Sequence, residues 1–153
     1  MPSEAPIVLL GKLPAIVWLK SNAFAYPTLE SLHLLAIATV FGTILIVDMR
    51  ILGAMRTMDA RVLARNVLPW TIGGFAMALL TGMTMFVARA ADFISNPFFI
   101  IKLLLLFVAG ANAAALHARG ELDPSHPMTR AQAGLSLLLW IFVIFCGRWI
   151  AYV

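Results

Sequence analysis

Residues 27–49 read PTLESLHLLAIATVFGTILIVDM, a run in which only Glu30, His33 and Asp48 carry titratable side chains. As a helix it rises about 35 Å at about 1.5 Å per residue, enough to cross a hydrocarbon core about 30 Å thick. Three further stretches, Leu68 to Ala88, Pro97 to Leu116 and Gly134 to Tyr152, are apolar over a similar length. None alternates as a half-buried strand would, and lipid offers no partner to a free backbone group. The sequence therefore predicts an all-α fold, a four-helix transmembrane bundle with spans at about 27–49, 68–88, 97–116 and 134–152. Residues 1–153 form a single integral membrane domain.

Composition leads the same way. With 62% hydrophobic and 12% charged residues, the chain has too little polar surface to enclose itself in water. The formal charge of +4 does not imply nucleic acid as a partner, because the basic residues sit at span ends and in short loops, where they set orientation. Arg50, Arg56, Arg61 and Arg65 occupy the first loop, Arg119 and Arg130 flank the third, and Arg89 is nearly alone in the second. This bias places loops one and three in the cytoplasm and both termini outside, in a multi-pass protein of a bacterial inner membrane. Lys12 and Lys20 weaken the asymmetry.

The segment Ile7 to Leu19 is broken by Gly11, Lys12 and Pro14 and lacks a clear cleavage site. It reads as a short N-terminal interfacial helix rather than a signal peptide. Thr57 to Val67 is amphipathic enough to lie on the membrane surface. Small residues recur every four positions at Gly74, Ala78 and Gly82, and again at Gly110, Ala114 and Ala118, a spacing that lets helix backbones approach closely within the chain or between copies. Cys146, the only cysteine, leaves no internal disulfide and reads as a packing residue.

The polar residues inside the spans gather at two depths. Counted from each span's start, His33 lies about 9 Å and Lys102 about 8 Å deep; Glu30, Arg89 and Arg148 end near the same face, with Met83 and Met85 within a turn or two. His117 falls about 20 Å away along the membrane normal, near Asp48 and Arg50, where an Asp48–His117 or Asp48–Arg50 pair is expected. Two imidazoles on one iron need nitrogens about 4 Å apart, so straight spans exclude His33 and His117 as joint ligands in one monomer.

Ionisable groups within spans face a cavity, a partner or a cofactor. One expectation is haem b, with His33 as axial ligand and metal site, Met83, Met85 or Lys102 on the opposite side, and Arg89 and Arg148 holding carboxylates. The plainer expectation is that Lys102, Arg89 and Arg148 snorkel while His33 bonds a neighbouring helix.

The strings YPTLESLHLLAIATVFGTILIVDMRILG, LPWTIGGFAMALLTGMTMF, NPFFIIKLLLLFVAGANAAALH and GRWIAY resemble an uncharacterised family of small bacterial four-span membrane proteins, a domain of unknown function. More distantly, His33 followed by Gly42 and Arg50, with Lys102 opening the third span, is similar to HemJ-type protoporphyrinogen oxidases and CopD-type copper membrane domains. The HemJ resemblance implies haem b at His33 and Lys102. The fuller HemJ string, with its tryptophan and Pro-Arg, is missing, since Asp48-Met49 precede Arg50.

These readings converge on a haem-b-binding protein with a redox or electron-transfer role, working as a homo-oligomer or with a membrane redox partner. The alternatives are a cofactor-free scaffold or accessory subunit, and copper handling through His33 and the methionines. Whether the chain is an enzyme is left open by its residues.

Overall fold

A computed structural model of the chain describes Leu9, residues 11–119 and residues 122–152. Its helices are α1 (Pro14–Ser21), α2 (Ala25–Leu52), α3 (Ala60–Ala88), α4 (Ala90–Ile94), α5 (Pro97–Ala118) and α6 (Pro127–Trp149). Helices α2, α3, α5 and α6 are long and apolar enough to span a membrane, so the protein is an all-α, multi-pass membrane bundle. Helix α3 packs along α2, α6 along α5, and α6 also against α2.

Polar side chains and one glycine fix the helix ends. Asn22 Oδ1 accepts from the amides of Phe24 and Ala25 where α2 begins. At its other end Gly53 adopts φ 118°, and the Ala54 amide reaches back to the Met49 carbonyl at 2.9 Å, a left-handed closure natural to glycine. Asp59 caps α3 through the amides of Arg61 and Val62. Asn96 does the same for α5 and also donates from Nδ2 to the Ile150 carbonyl at 3.1 Å, tying the start of α5 to the end of α6. His126 Nδ1 accepts from the Met128 amide at the start of α6, so this loop histidine is a helix cap.

Several boundaries differ from the sequence expectation. The Thr57–Val67 segment is not a separate surface helix: residues 60–67 are the first two turns of α3, continuous with the span through Pro69. Its arginine-bearing face is amphipathic because those turns emerge from the membrane. The helices α2 and α5 run past their expected ends, whereas α6 starts earlier than expected, at Pro127, and stops at Trp149, short of the expected Tyr152. Part of the Ile7–Leu19 segment lies outside the described residues; from Pro14 it forms α1, which packs against α2 and α3 and leaves Trp18 exposed.

The interior is narrow and built from small side chains, among them Ala36, Val40, Ala109 and Ala133, while large ones such as Leu80 and Phe107 point outward. That inversion of a water-soluble core fits lipid as the solvent, where close packing rather than hydrophobic burial joins helices. At the arginine-rich end Ile51, Leu116 and Ala133 form a buried cluster, flanked by Val47, Leu52 and Leu122. Arg130 donates to the Leu52 carbonyl beside it at 3.2 Å.

The two small-residue stripes differ in use. A Cβ placed on Gly74 would lie 3.1 Å from Val40 Cγ2 and 3.2 Å from the Ala36 carbonyl oxygen, so α2 and α3 touch nearly backbone to backbone. Gly110 has nothing within 4 Å of such a carbon, and Ala114 is exposed; the α5 stripe faces away from the bundle. Gly74→Leu should accordingly lower thermal stability in nanodiscs by about 1–3 kcal/mol through overpacking, whereas Gly110→Leu leaves the monomer's melting temperature unchanged.

Asp59 lends a pH signature to this end of the bundle. The amides of Val62 and then Arg61 hold its carboxyl below the usual carboxylate range. Its cap is therefore fully stabilising above about pH 3.9, the ordinary aspartate value, and is lost as pH falls through the lower folded value. Asp59→Ala should melt earlier than the wild type at neutral pH, with the difference closing only below that ordinary value.

Candidate functional site

The half of the bundle away from the arginine-rich loops is not filled. A cavity of about 800 Å³ opens among α2, α3, α5 and α6, with His33, Gly82, Met85, Arg89, Lys102 and Trp140 on its walls. This volume lies within the roughly 300–1,000 Å³ typical of small-molecule and cofactor sites. Its lining is largely apolar, with polar groups at few points.

His33 belongs to α2 but is positioned by α3. Its Nδ1 lies 2.8 Å from Thr81 Oγ1, and Thr81 Oγ1 is 2.7 Å from the Met77 carbonyl one turn earlier. A threonine hydroxyl has a single hydrogen. With that hydrogen given to the carbonyl, Oγ1 accepts from Nδ1–H, and His33 Nε2 keeps its lone pair. Thr81 is buried, which holds the ring against rotation.

Gly82 gives the ring its room. A Cβ there would stand 3.1 Å from His33 Cε1, closer than ordinary van der Waals contact, so the imidazole would have to give by a few tenths of an ångström. The sequence stripe Gly74–Ala78–Gly82 thus has two roles, close approach at Gly74 and room for an imidazole at Gly82. Thr81 is not ionisable and so does not stand out among the polar residues of the spans, and Gly82 reads in the sequence only as a member of the small-residue stripe.

Of the residues expected at the site, His33, Met83, Met85, Arg89 and Lys102 all line the cavity. Met85 and Arg89 stand three and seven residues after Gly82, on the helix face that carries the imidazole. Met83 is rotated about 100° from Gly82 and half exposed. Arg89 pairs with Asp92 at 3.0 Å, and the Tyr26 hydroxyl also interacts with it. Phe86, Phe93 and Phe99 stack beside this pair, with centroids 5.2 to 6.3 Å apart.

Arg148 is not among the cavity-lining residues. Its guanidinium bonds the Tyr152 hydroxyl and lies 4.8 Å from that ring's centroid, because residue 148 projects from the helix face next to the one carrying Gly147. Lys102 reaches across to α6 instead: a Cβ on Gly147 would lie 3.5 Å from its Nζ. Among the described residues Lys102 makes no hydrogen bond or ion pair, an unusual condition for an ammonium inside a membrane.

At the opposite end the expected Asp48 pairs do not form. His117 Nδ1 bonds the Ala113 carbonyl of its own helix at 2.8 Å, and Arg50 donates to the carbonyls of Met58 and Arg56. Arg50 lies two positions beyond Asp48, on a different helix face, so it turns to the loop while Asp48 turns inward.

No group of three or more His, Cys, Asp or Glu side chains suited to a metal ion occurs among the described residues. Residues 18–153 match a family of unknown function, DUF6644. No curated protein and no solved structure matches the chain.

The Thr81 anchor predicts the His33 tautomer. Solid-state ¹⁵N spectra of labelled protein in lipid should show His33 protonated at Nδ1 and bare at Nε2, and Thr81→Val should return the ring to a mixture of both forms.

Proposed function

The chain therefore belongs to the DUF6644 family, and from that premise we propose that its cavity holds haem b and that the protein carries electrons within a bacterial inner membrane. The observation that carries this reading is the imidazole of His33, held through Nδ1 against Thr81 on the wall of a largely apolar cavity of about 800 Å³.

The residues present fit such a group on three counts. Neutral imidazole is an axial ligand for haem iron, and a hydrogen bond at its other nitrogen fixes ring and tautomer. The apolar walls suit a flat macrocycle. Lys102, a cation without a hydrogen bond or ion pair among the described residues, and Arg89 at the rim suit carboxylates. Met85, on the Gly82 face, would be better placed than the half-exposed Met83 to contact such a group.

When bound, haem b supplies one-electron transfer. The chain's own residues bind and orient it: His33 as ligand, Thr81 as the anchor of that ligand, Lys102 and Arg89 as counter-charges. Phe86, Phe93 and Phe99 exclude water beside the Arg89–Asp92 pair. In this reading the arginine-rich loops face the cytoplasm by the positive-inside rule, and electrons pass to or from a membrane redox partner.

A second reading, a membrane scaffold, is favoured by the outward-facing Gly110–Ala114 stripe on α5, which leaves a smooth surface for another helix or a second copy. The two differ in colour. Protein purified from cells grown with ample iron should show a Soret band that shifts on reduction with dithionite and is lost in His33→Ala. Colourless protein that also fails to take up added haem returns the account to the scaffold.

A further inference from the structure

A second polar locus lies near the arginine-rich end, independent of the haem reading. Asp48 on α2 is only 4% exposed, and its Oδ2 is buried with no hydrogen-bond partner. The Ser136 hydroxyl on α6 approaches the same carboxyl. One turn from Ser136, on the same face of α6, Gln132 also has a buried side-chain oxygen, Oε1, without a partner. Asn112 on α5 donates to the Gln132 backbone carbonyl at 3.1 Å, joining a third helix to the locus.

Both orphaned atoms are acceptors, and a buried acceptor left unmade costs about 1–3 kcal/mol, more if it is charged. The charged groups around this end are engaged or outside. Arg50 donates to loop carbonyls, Arg130 to the Leu52 carbonyl, and His117 bonds its own helix. Arg61 and Arg65, at the start of α3, and Arg119, after α5, are exposed. An ionised Asp48 would therefore be a buried charge without a counter-charge, which membrane interiors strongly disfavour. A hydrogen on Oδ2 would turn that orphan into a donor, and the unpartnered acceptor at the same locus is Gln132 Oε1, one turn from the Ser136 that approaches the carboxyl.

We propose that Asp48 and Gln132 form a proton-binding site between α2 and α6, in which a neutral Asp48 carboxyl group donates to the Gln132 amide oxygen. Release of that proton leaves a buried anion and weakens the seam between the two helices. Because His33 also lies on α2, a proton at this site bears on the helix that carries the cavity's imidazole.

Infrared spectroscopy of the full chain in lipid tests this directly. At neutral pH the spectrum should contain the carbonyl stretch of a protonated carboxylic acid, which Asp48→Asn abolishes. Glu30, Asp59, Asp92 and Asp123 are exposed and should not contribute to it. Asp48→Asn, which mimics the neutral acid, should keep the wild-type melting temperature, and Gln132→Leu should shift the band by removing its acceptor. Absence of the band in folded wild-type protein at neutral pH would overturn the proposal. So would sodium- or potassium-dependent stabilisation at fixed pH that Asp48→Asn removes, since a metal cation would then be the occupant.

Discussion

The close contact of α2 with α3 is the constraint on which the remaining structure depends. Lipid gives two apolar helices little reason to associate, so the contact must come from packing and from hydrogen bonds formed across it. Gly74 supplies the first, admitting Val40 and the Ala36 carbonyl to its surface. The His33–Thr81 and Thr43–Thr71 bonds, each 2.8 Å, supply the second at two levels of the seam. Such bonds contribute about 0.6 kcal/mol on average in membrane bundles, too little to hold two helices alone but enough to fix register once the backbones are close.

Register at this seam determines what the cavity contains. Thr81 and Gly82 share one turn of α3, Met85 lies on the next and Arg89 follows the helix end, so a slip of one turn would set another side chain against His33 and remove its anchor. The α5–α6 pair closes the opposite wall, held at its ends by Asn96 to Ile150 and Asn112 to Gln132. Between these two pairs the small interior side chains fill the arginine-rich end and leave the other end open. The bundle thereby acquires two unlike polar loci, an imidazole and an ammonium around a cavity at one end and an acid with an amide in a closed seam at the other.

Much of this was legible in the residues. Four apolar runs of bilayer length specify the four spans because no other structure satisfies their backbones in lipid, and helical rise alone brought His33 and Lys102 to one level and separated His33 from His117. What depth cannot give is azimuth. Asp48, Arg50 and His117 share a level but face three directions, so the pairs expected among them do not exist. Arg148 shares the cavity's level but turns to Tyr152, while Gly147 takes the inward position. The amphipathic look of Thr57–Val67 was real, but it marks the emergence of α3 rather than a separate helix. The equal spacing of the two small-residue stripes concealed that one is a seam and the other an outer surface; only the arrangement of neighbours separates them.

The central claim is that the cavity beside His33 is a cofactor site. Native mass spectrometry of the full chain, released from lipid nanodiscs after expression with ample iron, measures this most directly by weighing what each chain retains. The account predicts one haem b per chain, absent from His33→Ala that is otherwise intact. A wild-type chain that flies bare or carries only phospholipid, even after incubation with haem, would contradict it.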